Sequence, residues 1–470
     1  MNAALPPLLL LTSLVPALAS FLLPEHAHRA RNAFNVVGAV LKLALVAAML
    51  VRVADGTAFE TRLPLAPGLD LLLRIDAMAL LFVTLSAFLW LLTTVYAIAY
   101  FGRKPNLARF FGFFSLCVFA TTGIALAGNL ISFFVFYEVL TLSTWPLVAH
   151  KGDGASLAAG TRYLAYSMPG AAALLLAIVW LESATGSVEF AQRADLRVLD
   201  DGTLRVIFAL FVAGLGVKAA LVPLHGWLPG AMAAPAPVSA LLHAVAVVKA
   251  GAFAIVRIVH DVYGIALVHE LALGLPLAAL AAATIVWGSV RALLQTDLKR
   301  RRAYSTVSQV SYIVLGAALA GPLATVGALA HLVHQGLMKI TLFFCAGVFT
   351  ERAGITQIRQ LDGIGPRMPW TAAAFTVGAL GMIGVPPIAG FVTKWTLGLG
   401  ALQAGAPWVI AVLVTSALLN AAYFLPLVYR MWFGTLHPQA VEYAPQGPLE
   451  RPLALLAPAV ITAATALATG

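Results

Sequence analysis

The sequence has little charge and almost no cysteine. Only 10% of its 470 residues are charged, and its two cysteines are Cys117 and Cys345. Both lie inside apolar runs, so the sequence indicates neither a disulfide framework nor a cysteine-ligated cluster. It also lacks a glycine-rich loop that opens a helix after a strand, the signature of dinucleotide binding. We therefore expect no cofactor, no metal site and no catalytic residue on this chain.

Apolar residues take the place of the missing charge. They make up 61% of the chain, and the mean hydropathy is +0.93, far above that of soluble domains. Apolar stretches of about 20 residues, enough to cross a hydrocarbon core, recur from end to end. The sequence therefore predicts an all-α polytopic membrane protein with fourteen spans. These are 5–23, 33–53, 77–101, 109–128, 130–150, 160–182, 204–228, 236–260, 264–290, 300–320, 324–350, 370–398, 405–432 and 452–468.

The basic residues are distributed unevenly between the loops. No Lys or Arg precedes Arg29, so we interpret the first span as a retained helix rather than a signal peptide. Loops after odd-numbered spans hold 17 Lys and Arg residues, and loops after even-numbered spans hold seven. Because cytoplasmic loops are enriched in these residues, we expect a multi-pass protein of the bacterial cytoplasmic (inner) membrane with both termini on the periplasmic side. No basic face with interleaved aromatic residues predicts nucleic-acid binding.

Six charged residues remain within the predicted spans, away from their ends. Glu138, in "SFFVFYEVLTLSTW", is the one formally charged residue between Phe110 and His150. A carboxylate near the centre of a bilayer costs about 3 kcal/mol or more, so such residues usually have a function. The five lysines are Lys42, Lys218, Lys249, Lys339 and Lys394. Lys42 stands alone in its span, and we expect it to snorkel or to join helices.

Two spans contain helix-breaking sequence beside a lysine. They are "GLGVKAALVPLHGWLPG" (214–230) and "GALGMIGVPPIAGFVTKW" (378–395). Proline removes a backbone donor, and the freed polar groups are tolerated at membrane depth only where protein or a water-filled cavity surrounds them. The sequence thus predicts broken helices in the seventh and twelfth spans, with hinges at Pro223, Pro229, Pro386 and Pro387.

The two breaks lie five spans apart, which predicts a five-helix unit used twice, in spans 4–8 and 9–13. Because five is odd, the second unit would be inverted in the membrane, as in repeat-built transporters. This interpretation divides the chain into four segments. They are 1–105 with the first three helices, 106–260 and 261–435 with one repeat each, and 436–470 with helix 14.

The titratable residues form a series along the spans, from Glu138 through Lys218, Lys249, His331 and Lys339 to Lys394. Each can bind or release a proton within the membrane, so the series predicts a line of proton transfer. Structural pairing of the same charges is the alternative. The histidines His225, His243, His331 and His334 are weaker candidates than the lysines, because each could be an ordinary hydrogen-bonded residue.

Several segments, in order and spacing, resemble the antiporter-like membrane subunits of respiratory complex I and of Mrp-type cation/proton antiporters. These segments are "FYEVLTLSTW", "VKAALVPLHGWLPGAMAAPAPVSALLHAVAVVKAGAFAI", "DLKRRRAYSTVSQVSYIVLG", "HLVHQGLMKITLFFCAG" and "GMIGVPPIAGFVTKW". The resemblance covers roughly 75–435 and implies the fourteen-helix fold with inverted repeats. It is closest, in "GVPPIAGFVTKW", to the D subunit of Mrp-type antiporters and to hydrogenase-linked subunits.

The resemblance also implies roles for individual residues. Glu138 and Lys218 match the family's glutamate–lysine pair, Lys249 its central lysine and Lys394 its exit-side lysine. His331 and Lys339 match the ends of a His-x3-His-x3-Lys pattern whose second histidine is Gln335 here, with His334 one position earlier.

Together, these observations predict a proton-translocating subunit of a multisubunit membrane complex, similar to the D subunit of Mrp-type cation/proton antiporters. One alternative is a proton-pumping subunit of NADH:quinone oxidoreductase or of a membrane-bound hydrogenase. The other is a structural membrane subunit that does not transport. The expected partners are other hydrophobic subunits, the lipid bilayer and protons. The sequence leaves open whether Na⁺ or K⁺ is exchanged through the complex.

Overall fold

The computed structural model describes residues 4–54, 59–66, 69–192, 194–436, 449–450 and 452–470. Its helices are α1 Leu5–Leu22, α2 His28–Ala54, α3 Ala77–Phe101, α4 Leu107–Leu126, α5 Leu130–Val148, α6 Gly154–Thr185, α7 Asp201–Lys218, α8 Trp227–Gly230, α9 Ala236–Ala240, α10 Val247–Arg257, α11 Gly264–Glu270, α12 Gly274–Leu293, α13 Leu298–Ala318, α14 Pro322–Ala353, α15 Pro369–Ile383, α16 Ala389–Gln403, α17 Trp408–Phe433 and α18 Leu453–Ala468. Its strands are β1 Phe59–Ala66 and β2 Leu69–Ile75.

Ten helical segments of the described chain are long and apolar enough to cross a membrane, judged by length and composition. α15 and α18 are shorter apolar helices. The prediction of a helical polytopic membrane protein is therefore confirmed. The count of fourteen spans, the inverted repeats and the four-segment division stay predictions, and part of the last segment (437–448 and 451) lies outside the described residues.

Some predicted boundaries were wrong. The eighth span, predicted at 236–260, continues as one helical segment from Ala236 to Glu270 with π-helical turns at Leu241–Val245 and Ile258–Tyr263. The ninth span, predicted from residue 264, begins at Gly274. The helix continues through the polar residues His260 and Asp261, which lie in the second π-helical turn, so the predicted boundary came too early.

The predicted breaks are present. α7 ends at Lys218, and the next helix, the four-residue α8, begins only at Trp227. α15 ends at Ile383 and α16 begins at Ala389. Pro223, Pro386 and Pro387 lie between helices, and Pro229 lies within α8.

The described chain clusters into two units. The first comprises Met1–Thr94, Arg103–Ala219 and Val245–Gly274, and the second comprises Val95–Gly102, Ala220–Ala244 and Leu275–Gly470. Within the first unit, α1 packs against α2 and α4, α4 packs against α5, and α7 packs against α6 and α10. Within the second, the long, largely buried α14 packs against α9, α13, α15, α16 and α18.

An antiparallel hairpin, β1 with β2, was missed by the all-α expectation. Its register pairs Phe59 with Ile75 and Arg62 with Leu72. Alternating apolar and polar residues around a Pro-Gly pair in "FETRLPLAPGLDLLLRI" are the signal that could have predicted it.

The end of β2 leads into a partly buried ion pair of the first unit. Arg257 on α10 donates to both carboxylate oxygens of Asp76 at 2.7 and 2.8 Å, and to Asp261 at 2.7 Å. Burial raises the pKa of Asp76, but the charge and hydrogen bonds of Arg257 outweigh it, so the pKa lies below its usual range. The pair therefore fixes the start of α3 to α10.

Candidate functional site

Lys218 is the last residue of α7 and is buried. Its Nζ donates to the Tyr137 carbonyl at 3.1 Å and to the Thr141 hydroxyl at 2.5 Å, both on α5. It also lies 3.3 Å from the centre of the Tyr137 ring. A carbonyl, a hydroxyl and an aromatic face, all from α5, therefore contact the lysine ammonium.

The Thr141 hydroxyl lies between Lys218 and Glu138. Its oxygen is 3.5 Å from Oε1 of Glu138, which is half-buried on α5. Among the described residues of the first unit, Glu138 and Lys218 form no ion pair within 4.0 Å. One hydroxyl, which can both accept and donate, thus separates the two charges. Sequence reasoning missed Thr141, although it follows Glu138 by three residues and so shares its helix face.

α10 carries the third predicted residue of the first unit, Lys249, which is completely buried. Two residues further on, a Cβ on Gly251 would overlap the Ala219 nitrogen and would lie 2.7 Å from the Lys218 carbonyl carbon. Only a glycine allows the two backbones to approach this closely. The structure therefore brings the helix of Lys249 directly against Lys218.

In the second unit, Lys339 begins a chain of hydrogen bonds. Its Nζ donates to Ser305 Oγ at 2.6 Å, and the Tyr423 hydroxyl donates to the same oxygen at 3.0 Å. Tyr423 also contacts Oδ1 of Asn420, which accepts from Gln309 Nε2 at 3.3 Å. All five residues are buried, so the chain is shielded from bulk solvent.

The chain continues to His331. Its Nε2 lies 3.1 Å from the Gln309 carbonyl, and its Nδ1 lies 3.0 Å from the Thr393 hydroxyl. The next residue, Lys394, donates to the carbonyls of Met382 and Ile383 at 2.8 and 2.7 Å. These carbonyls end α15, where the helix dipole favours a cation. The structure thus connects His331 with Lys339 and leads to the helix that carries Lys394.

The other histidine candidates, His225, His243 and His334, have different surroundings from those of His331. The ring of His225 lies 4.2 Å from Trp287, and Nδ1 of His334 lies 3.0 Å from the Ala389 carbonyl. His243 is buried in a π-helical turn, a feature frequent at functional sites. Both of its ring nitrogens lack a partner among the described residues, as do both amide atoms of Gln335.

The polar relays Ser305, Gln309, Thr393, Asn420 and Tyr423 were not predicted from the sequence. Each is a neutral residue, and neutral polar residues are frequent in membrane helices, where they bond to their own helix. The predicted lysines and His331 can bind and release protons, and the hydroxyls of Ser305, Thr393 and Tyr423 can pass them on. The amide groups of Gln309 and Asn420 only donate and accept hydrogen bonds.

A family model described as "NADH:quinone oxidoreductase/Mrp antiporter, TM" matches residues 127–420. The chain belongs to this family. All the candidate residues from Glu138 to Lys394 lie within the matched region. The resemblance predicted from the sequence motifs is therefore confirmed.

Proteins similar to this chain belong to different complexes. NADH-quinone oxidoreductase subunit N of Desulforudis audaxviator is 37% identical over 98% of this chain and 94% of that protein. Hydrogenase-4 component B of Escherichia coli is 33% identical over 69% of this chain and 50% of that protein. In the structure of the Mrp complex from Dietzia sp., a chain matches with a TM-score of 0.87 and 27% identity, over 99% of this chain and 94% of its own length.

Proposed function

We propose that this chain is a proton-conducting subunit of a multisubunit complex in the cytoplasmic membrane. The observation that carries the proposal is the buried Lys218, separated from Glu138 by the Thr141 hydroxyl. An intramembrane glutamate and a buried lysine cost folding free energy, so residues of this kind usually have a function. Family membership supports the same function, because the relatives are subunits of such complexes.

Electrostatic coupling between Glu138 and Lys218 supplies the driving step. With an effective dielectric constant of about 20, two unit charges attract by about 4 kcal/mol at 4 Å and about 2 kcal/mol at 8 Å. Moving the two charges from about 4 Å to about 8 Å apart therefore changes the attraction by about 2 kcal/mol. This alters the ratio of protonated to neutral Lys218 by about 30-fold, since 1.4 kcal/mol corresponds to a factor of ten. We propose that such a change releases the lysine's proton towards Lys249.

The second unit carries protons along two parts of its hydrogen-bond chain. One part joins Lys339 to the hydroxyls of Ser305 and Tyr423, and the other joins His331 to the Thr393 hydroxyl, while the amides of Asn420 and Gln309 hold the two parts in place. Hydroxyls of Ser305 and Tyr423 can accept one proton while they donate another, and His331 can bind a proton on one ring nitrogen and release it from the other. Lys339 gives its proton to this chain, and Lys394 releases a proton at the broken helix. The order from Lys218 through Lys249 to Lys394 rests on the family resemblance.

The transport step is tested with Lys218→Ala in inverted membrane vesicles. We expect proton transport to be lost while the protein remains inserted at normal levels. Lys104→Ala, at an exposed loop lysine, is the matched control and should transport normally. Full transport by Lys218→Ala would refute the proposal and favour the structural, non-transporting alternative.

For the type of complex, we propose two candidates that different observations favour. The full-length likeness to a chain of the Mrp complex supports a D-like subunit of a cation/proton antiporter. The 37% identity to an NADH-quinone oxidoreductase subunit N supports a redox-driven proton pump. A tagged chain, extracted gently from its native membrane, distinguishes them by mass spectrometry. Iron–sulfur or flavin partners indicate the pump, and small hydrophobic partners alone indicate the antiporter.

We also propose that both termini face the periplasm, because the loops after odd-numbered spans hold most of the Lys and Arg residues. Alkaline phosphatase fused to either terminus should then be active. Fusions that are stably expressed but inactive would indicate the opposite orientation, with both termini in the cytoplasm.

A further inference from the structure

Lys42, which the sequence left alone in its span, has polar partners in the first unit. It is completely buried, and its Nζ donates to Ser13 Oγ on α1 at 3.1 Å and to Thr122 Oγ1 on α4 at 2.6 Å. The Trp90 ring on α3 has its centre 5.1 Å from Nζ. Three helices and an aromatic ring thus surround a lysine in the middle of α2.

A second polar layer lies two helical turns away on α1, α2 and α4. Asn35 Nδ2 donates to Ser20 Oγ at 3.1 Å, and Ser115 Oγ donates to Asn35 Oδ1 at 2.6 Å. Each of these residues is seven positions from its counterpart in the Lys42 layer, so the two layers share one helix face.

The seam reaches the N-terminal end of α2. Arg31, one turn before Asn35, is buried and donates to the carbonyls of Pro24 and Glu25 at 2.9 and 3.0 Å. Buried polar groups therefore line the first half of α2 from its start to Lys42. We call this set the N-terminal seam, consisting of Arg31, the Asn35 layer and the Lys42 layer.

An independent observation on α3 indicates water beside Lys42. Ser86, Trp90 and Thr94 are spaced by four residues and so form one stripe. In the described part of the chain, the buried Ser86 Oγ, Trp90 Nε1 and Thr94 Oγ1 all lack a hydrogen-bond partner. Buried polar groups almost always bind protein or ordered water. Three unsatisfied groups in one row, with Lys42 over the middle one, are best explained by a file of water molecules.

Joining helices does not require a lysine at this position. A serine or an asparagine joins helices at lower cost, whereas a lysine at membrane depth costs about 3 kcal/mol. Among the described residues, no carboxylate forms an ion pair with Lys42. Glu25, whose backbone carbonyl accepts from Arg31, uses its carboxylate to accept from the backbone nitrogens of Leu107 and Ala108 at 2.5 and 3.2 Å.

We propose that Lys42 is a further proton-binding site, separate from the series that runs from Glu138 to Lys394 and hydrated through the N-terminal seam and the α3 stripe. In the binding step, a hydronium ion gives its proton to the lone pair of Nζ and leaves water and an ammonium group. The reverse step returns the proton to water, so no further reactant is needed.

Hydration is tested by thiol labelling of the whole complex in its membrane, with Cys117 and Cys345 replaced by serine and alanine. Thr94→Cys places a thiol on the stripe. Thr93→Cys is the matched control, because Thr93 is its equally buried neighbour and already donates to the Leu89 carbonyl at 2.6 Å. A small methanethiosulfonate reacts with the thiolate, which needs water. We expect Thr94→Cys to react at least tenfold faster. Equal rates would overturn the proposal, whether or not the complex transports protons.

Proton exchange is tested with Lys42→Met and Lys42→Arg, and this arm rests on the proposed function. Arginine keeps the charge and the donors but stays protonated. We expect both variants to slow proton transport at least threefold, whereas a helix-joining lysine would be rescued by arginine. Normal transport by Lys42→Met, or rescue by Lys42→Arg, would overturn the proposed site at Lys42. Failure of the proposed function is distinguishable, since it shows as transport that survives Lys218→Ala.

Discussion

Replacing Thr141 by valine removes the hydroxyl between Lys218 and Glu138 while keeping the shape of the side chain. That hydroxyl accepts from the Lys218 ammonium at 2.5 Å. A hydrogen bond to a charged group contributes about 1.5–3 kcal/mol. At 1.4 kcal/mol per factor of ten, its loss changes the equilibrium between the charged and neutral forms of Lys218 by about 10- to 150-fold.

Proton transport in inverted vesicles, followed with a pH-sensitive dye, measures the consequence. We expect Thr141→Val to slow transport at least tenfold, because Lys218 no longer exchanges its proton in step with Glu138. Thr141→Ser keeps the hydroxyl and is the matched control, expected to remain within about twofold of the parent. Equal rates for the valine variant and the parent, at equal protein levels, would refute the bridging role. An equally slow serine variant would indicate a packing defect instead.

Three further predictions concern other parts of the chain. Asp76→Asn should lower thermal stability at pH 7, because Arg257 holds the pKa of Asp76 down. The greater stability of the parent is complete above about pH 4 and disappears as the pH falls through the lowered pKa. The melting temperatures of the parent and the variant should therefore converge as the pH is lowered from 7 to 3. Curves that stay parallel would contradict this. Tyr423→Phe removes a hydroxyl from the hydrogen-bond chain of the second unit and should slow transport severalfold without loss of stability. Gly251→Ala places a methyl group against the backbone of Lys218 and Ala219 and should cost about 1–3 kcal/mol of unfolding free energy, measured by denaturation in detergent.

Features with a local cause were predictable from the sequence. The breaks after Lys218 and Ile383 follow from proline and glycine, whose effect is confined to neighbouring residues. The intramembrane charges were equally visible, because a single glutamate or lysine interrupts an apolar run.

Features that depend on tertiary pairing were not predictable. Thr141, Ser305 and Tyr423 look like ordinary membrane-helix residues until folding places them beside a lysine. Lys42 seemed isolated because its partners are 29 and 80 residues away along the chain. The β-hairpin was missed because the hydropathy of its surroundings dominated a short alternating pattern.

In the proposed function, Glu138 and Lys218 work as a proton-transferring pair. The rate of proton transport by the tagged complex carrying Glu138→Gln, which keeps the side chain's size and removes its charge, tests this pair most directly. We expect transport to fall to background while assembly and insertion are unchanged. Transport at the parental rate would contradict it and would identify the chain as a structural subunit.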